Sequence, residues 1–399
     1  MASSIDIPAL KLTLAQRNLA RLSQYEPPSP PEQDTPSESQ KCSIGLQILE
    51  KWSEDNKAAI QHAIEKAVFG GKSDIDWKIA FLPFMESMGV YLRDWGFILS
   101  AWKAYRQYQH GKRQDKTQLE VAISAYQAAY QPIEDLAAHW GLDFVCLCDL
   151  VTEAPDQEPL WDGPICGAFF TTSANKTPFV GLAFKGTNPF QFREVAVDYN
   201  YQLQQASAQY LEQNFVSAGV YTGLFGTFKD GNVPFDVIQS ELQLVARSLP
   251  NYTEPVSTHV TGHSLGGSYT QLCFAQMLVD ANARPPKDFS FAIGDQYSFG
   301  APRVGNEDWA KANATWIAAQ RGSIWRIVNN KDIVPQVPAT MLKPDQLDFY
   351  HVDNGKRISK NHVPENIPSE IGSPPPPPYS IKTFKDLVNA VIQGGDHRE

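Results

Sequence analysis

The stretch His259-Val260-Thr261-Gly262-His263-Ser264-Leu265-Gly266-Gly267 decides how this chain is read. It places the pattern G-x-S-x-G between a β-branched run, 258–261, and an apolar helical pattern running from 267 to about 281. A serine on a tight turn from strand to helix needs glycine on both sides, because a side chain at 262 or 266 would clash where the backbone folds back. Such a turn lifts the Ser264 hydroxyl above the sheet as a nucleophile. It also turns the Leu265 N–H, at the helix N-terminus, toward a developing oxyanion. His263 is directed away from that hydroxyl by the same turn and is assigned to packing.

Working outward, 235–249 carries Val237, Ile238, Leu242, Val245 and Leu249 on one helical face, with Pro234 at its start. Short β-rich runs stand at 144–147, 165–172 and 179–184 upstream, and at 296–299 and 324–328 downstream. Strands alternating with helices predict an α/β fold with a mostly parallel central sheet flanked by helices. A serine hydroxyl needs a base, and the base needs an acid to hold its tautomer. Asp332 stands where the strand-to-loop run 324–335 leaves the sheet, the end at which α/β sheets place functional groups. Asp345 and Asp348 are the next acids, and the histidines after Asp332 are His351, His362 and His397.

The first third has a different texture, with apolar residues at helical spacing in Ile44, Ile48 and Trp52, in 77–108 and in 119–140. Five prolines, Pro27, Pro28, Pro30, Pro31 and Pro36, mark 25–40 as a linker. The expected organisation is a helical N-terminal extension over 1–140 and a catalytic domain over 141–399. The lipophilic window 79–102 is interrupted by Glu86, Arg93 and Asp94 and is read as a partly buried helix, not a membrane span. Its aromatic stretch 77–102 admits two readings, a cover over a binding cleft or packing on the far side of the sheet. The run 374–378 is read as a polyproline II spacer.

Hydrophobic residues make up 42% and charged residues 20% of the 399, a balance that argues for a globular protein. The net charge of −10, with no basic block, excludes a nucleic-acid footprint. It also disfavours electrostatic docking on an anionic membrane, which leaves apolar insertion as the way to meet lipid. The five cysteines show no metal spacing and are read as buried free thiols. Their odd number, and the lack of an apolar leader core in the first twenty residues, give an expectation of a cytoplasmic protein.

From about Val145 onward the sequence resembles the class 3 (fungal-type) triacylglycerol lipases. Five motifs agree in order: Phe184-Lys185-Gly186-Thr187, Tyr221-Thr222-Gly223-Leu224-Phe225, the Gly262–Gly267 elbow, Phe299-Gly300-Ala301-Pro302-Arg303-Val304-Gly305-Asn306, and the acid loop from Asn330 to Pro335. The resemblance implies an α/β-hydrolase fold with Ser264 as nucleophile, Asp332 as triad acid, and the N–H groups of Thr187 and Leu265 as oxyanion donors. It sets the base late in the chain, where His397 follows an apolar pattern at 387–392 and the turn-forming pair Gly394-Gly395; His351 matches a family histidine that is not the base. Tyr221 stands where the family usually has a structural histidine, and the segment before about 141 exceeds the family's short leading helix. The implied reaction is ester hydrolysis through an acyl-enzyme, without metal or organic cofactor. The expected partner is an acyl-lipid ester met at a lipid–water interface, with no nucleic acid and no obligate protein partner. The competing readings are a non-catalytic lipid-binding or interaction protein on the same fold, and an esterase or phospholipase of different substrate range.

Overall fold

The computed structural model describes residues 6–26, 38–67, 69–71, 74–111, 116–150, 165–171, 173, 176–186, 202–249, 255–283, 290–330, 332, 334–336, 338, 349–360 and 362–372, without the side chains of 38–41. Helices come first: α1 (Ile7–Leu22), α2 (Glu38–Asp55), α3 (Lys57–Lys66), α4 (Trp77–Gly89), α5 (Trp95–His110) and α6 (Lys116–Trp140). Asp76 and Asp94 begin α4 and α5 by accepting the N–H groups of Lys78 at 3.0 Å and Phe97 at 3.2 Å. Then follow β1 (Leu142–Asp149), β2 (Ile165–Thr171), β3 (Phe179–Phe184), β4 (Leu203–Gln205), β5 (Phe215–Ser217), α7 (Ala218–Phe225), α8 (Pro234–Ser248), β6 (Val256–His263) and α9 (Leu265–Ala283). The chain continues through β7 (Phe291–Phe299), α10 (Glu307–Ala318), β8 (Ile324–Asn329), β9 (Gly355–Ser359) and β10 (His362–Ile367).

The main sheet runs in the order β1-β2-β3-β6-β7-β8-β9-β10, and β4 pairs with β5 apart from it. Neighbours from β3 to β9 are parallel, while the pairs β1–β2, β2–β3 and β9–β10 are antiparallel, so that β2 and β10 run against the rest. A mostly parallel sheet clad by helices is the α/β-hydrolase-type architecture expected from the sequence. Because side chains alternate along a strand, β6 sorts the helices onto two faces. His259 and Thr261 point to α4, Thr261 Oγ1 donating to the Pro83 carbonyl at 2.9 Å. Gly262 points the other way, toward Thr270 of α9.

This alternation decides between the two readings of 77–102. Helix α4 lies on the face opposite α9, with its Glu86 carboxylate 2.5 Å from His259 Nε2 and both side chains fully buried. Burial pushes the Glu86 carboxyl up, with the His259 ring pulling against it. Beyond it, the Asp94 N–H donates to the Ala129 carbonyl of α6 at 2.9 Å, and Trp102 Nε1 donates to the Tyr25 carbonyl at 2.9 Å. The stretch therefore packs on the far side of the sheet and on its neighbouring helices, the second of the two readings. The apolar residues that suggested a cleft cover are those a helix needs to bury against a sheet.

The N-terminal helices share a continuous apolar core with the sheet. Helix α1 lies along β1, with Lys11 paired to Glu134 of α6 and Asp143 of β1, and Arg17 to Glu241 of α8. The linker expected over 25–40 is shorter at both ends: Tyr25 is buried and α2 already begins at Glu38, while 27–37 lie outside the described residues. The spacer 374–378 and the apolar pattern 387–392 also lie outside them. No helix among the described residues is long and apolar enough to cross a membrane.

A buried polar knot fastens the helices to β1. Asp149 accepts hydrogen bonds from Tyr126 Oη at 2.5 Å and Tyr130 Oη at 2.8 Å and pairs with Arg93 Nη2 at 2.8 Å, and both charged side chains are almost wholly inaccessible. Removing one partner of a buried ion pair leaves the other charge without its counter-ion, at a cost of about 3 to 5 kcal/mol. Arg93→Met is therefore expected to lower the unfolding free energy by about that amount in urea titrations. A loss below about 1 kcal/mol would contradict the role assigned to this knot.

Candidate active site

At the end of β6 the backbone of Ser264 takes φ +56°, a left-handed conformation that costs a non-glycine residue about 1–3 kcal/mol. The turn is held from both sides. The Ser264 N–H donates to the Phe299 carbonyl at the end of β7, and the Gly267 N–H to the Ser264 carbonyl, each at 2.9 Å. A Cβ at Gly262 would strike the Gly266 backbone, and one at Gly266 would strike the Phe184 carbonyl and lie 2.8 Å from Gly186 N. The glycines flanking the serine are thus required by contact with backbone, which cannot yield.

Ser264 Oγ is buried and has no hydrogen-bond partner among the described residues. Leu265 begins α9, which gives its N–H the helix-terminal position expected of an oxyanion donor. The end of β3 is pressed against the same turn: a Cβ on Gly186 would lie 2.6 Å from the His263 carbonyl and 3.2 Å from Gly266 N. Thr187, the other expected donor, is the next residue and lies outside the described residues. Tyr91, between α4 and α5, entered the sequence reading only as part of the aromatic stretch 77–102; its Oη is 3.1 Å from His263 Nδ1 and 3.3 Å from the His263 carbonyl. Its tyrosine carried no local signal, because the contact joins residues 172 positions apart.

Asp332 follows β8 and is buried, with its N–H on the Asn329 carbonyl at 3.0 Å and its Oδ1 accepting the Val334 N–H at 2.9 Å. Since β6, β7 and β8 are parallel neighbours, the loops bearing Ser264 and Asp332 leave the same sheet end, on strands separated by ~10 Å. That gap suits an imidazole set between them.

Of the eight histidines in the sequence, seven are described, and none of the seven is hydrogen-bonded to Ser264 Oγ. His351 is buried, with Nε2 donating to the Pro335 carbonyl at 2.6 Å. Burial, joined by the charges of Arg326 and Arg303, holds its ring well below the usual histidine range and hence neutral. His362 sits on β10 at the exposed sheet edge, with Nδ1 3.1 Å from Ser359 Oγ. His397, like Asp345 and Asp348, lies outside the described residues. All five cysteines are free and buried, and burial raises the thiols of Cys146, Cys148, Cys166 and Cys273, so none of these four competes as a thiolate nucleophile.

Residues 181–342 match a protein family described as lipase (class 3). Over 114 residues the chain is 32% identical to the chloroplastic phospholipase A(1) DAD1 of Arabidopsis thaliana, a stretch that is 28% of this chain and 22% of that protein. Over 79 residues it is 35% identical to the secreted mono- and diacylglycerol lipase 1 of Fusarium solani, covering 20% of each. The chain thus spans only about a fifth of the length of either relative. Among solved structures, lipase II from Rhizopus niveus aligns over 75% of this chain and 88% of its own, at 20% identity and a TM-score of 0.40.

Gly266→Ala tests the turn directly, because every close neighbour of the added methyl is backbone. The variant is expected to lose about 2 kcal/mol or more of stability, or to fail to accumulate, as judged by thermal unfolding. Wild-type stability would show that the β3 end and the elbow are not in contact.

Proposed function

We propose that this chain is a serine hydrolase that cleaves carboxylic esters of acyl lipids, a reading supported by the match of residues 181–342 to the lipase (class 3) family. The observation that carries this reading is Ser264: a strained, glycine-flanked turn presents a hydroxyl without a hydrogen-bond partner among the described residues. In the proposed reaction Ser264 Oγ attacks the ester carbonyl carbon while histidine Nε2 takes its proton. Asp332 holds the other ring nitrogen and stabilises the imidazolium. The N–H groups of Leu265 and Thr187 receive the oxyanion. Collapse expels the alcohol, which takes the proton from the histidine, and leaves an acyl-serine. Water, deprotonated by the same histidine, releases the acid and restores the hydroxyl.

His397 is assigned as the base. The neutral, buried His351, held by Pro335, and the edge residue His362 are both committed elsewhere. We place the catalytic unit at 141–399 and read 1–140 as an extension that covers one sheet face. An acyl-lipid substrate is favoured by exposed apolar side chains four residues apart on α2, Ile44, Ile48 and Trp52. The Trp52 ring is 6.1 Å from Phe84, and Phe84 is 5.3 Å from Phe299, whose carbonyl holds the elbow.

Hydrolysis of p-nitrophenyl esters of graded chain length tests the reading. Ser264→Ala should abolish turnover with the fold retained, and Asp332→Asn should lower kcat by ~10³ to 10⁴ through the wrong histidine tautomer. His397→Ala should match Ser264→Ala, with His362→Ala retaining turnover and His351→Ala, which loosens the loop after Asp332, losing no more than about 100-fold in folded protein. Activity of Ser264→Ala within about tenfold of wild type would remove the nucleophile, and an active His397→Ala beside an inactive, folded His351→Ala or His362→Ala would move the base.

A further inference from the structure

One guanidinium joins two segments that the sequence keeps apart. Arg303, in the loop after β7, is buried and grips Glu370 with both arms, Nη2 to Oε1 at 2.9 Å and Nε to Oε2 at 3.1 Å. Its remaining arm, Nη1, donates to the carbonyls of Gln336 at 2.8 Å and Pro338 at 3.2 Å. His351 completes the clamp, with its backbone N–H on Glu370 Oε2 at 2.9 Å and its ring on the Pro335 carbonyl at 2.6 Å. Three carbonyls that follow Asp332 in the chain, those of Pro335, Gln336 and Pro338, are therefore fixed by two side chains.

We propose that Arg303 is a positioning residue for the triad acid, holding the loop that follows Asp332 in place through its fork on Glu370. The inference rests on the assignment of Ser264, Asp332 and His397 given above. Arginine suits the task because its planar fork can hold a carboxylate with two arms while a third reaches the backbone carbonyls, whereas a lysine offers one point of charge. A misplacement of about 1 Å between catalytic groups can cost 10²-fold in rate, so a clamp on the loop of the acid bears on kcat, not on substrate affinity.

The test uses the full chain and the variants Arg303→Lys, Arg303→Gln and Glu370→Gln, with Arg17→Gln, which breaks the remote Arg17–Glu241 pair, as a control for stability alone. The Arg303 and Glu370 variants are expected to lose about 10- to 100-fold in kcat, with KM within about twofold, Arg303→Lys being the mildest. The acidic limb of their kcat/KM profiles should move to lower pH, because a histidine that loses its carboxylate partner is less basic. Combining Arg303→Gln with Glu370→Gln should cost little more than either alone. Hydrogen exchange supplies a readout besides activity: peptides covering 332–338 and 365–372 should speed up together in Arg303→Gln, or in Arg303→Lys if the former does not fold. Exchange rising in the acid loop alone, or variants that lose stability with unchanged kcat and pH profile, would overturn the proposal. Equal turnover by wild type and Ser264→Ala would instead remove the reading on which it rests, whatever Arg303 does.

Discussion

The structure depends on one unfavourable residue conformation, the left-handed backbone of Ser264, and on the contacts that force it. A strand must end and a helix must begin within one residue, so that Ser264 is neither in β6 nor in α9. The turn survives because the Phe299 carbonyl fixes its N–H and because Gly262 and Gly266 let backbone touch backbone. Its strain is offset by packing that reaches from β3 through β6 to β7. Function enters through the same constraint, since only a turn this tight lifts a serine side chain off the sheet beside a helix N-terminus.

Parallel pairing then does the gathering. With β3, β6, β7 and β8 aligned, the segments leaving them, Lys185-Gly186, Ser264, Gly300 to Arg303 and Asp332, all emerge at one sheet end. The helices of the first third hold this arrangement from behind: α4 is pinned by Glu86 to His259 and by Thr261 to Pro83, and Tyr91 reaches forward to the carbonyl of His263.

What could be read from the sequence was what is local in the chain. The elbow, the strand before it, α8 with its single apolar face, and the acid at the end of β8 each depend on neighbours a few positions away, and their residue types state the requirement. Strands β9 and β10 were missed because they carry mostly exposed or half-buried polar residues, such as Lys356, Arg357, Glu365 and Asn366, with no alternation to read. The aromatic stretch 77–102 was ambiguous because apolarity reports burial without saying on which face of the sheet. Tyr91 and Arg303 gained their meaning from partners far along the chain, His263 and Glu370, which composition and spacing cannot supply. The histidine was the hardest choice for the same reason: only its distance from Ser264 in space, not its order in the chain, separates a base from a buried neutral ring such as His351.

The central claim is that the strained turn makes Ser264 a nucleophile, and covalent labelling tests it most directly. Intact, folded protein treated with a fluorophosphonate should gain a single phosphonyl group, which peptide mapping by mass spectrometry should place on Ser264. Folded protein that takes up no label, or takes it up at another residue, would contradict the account.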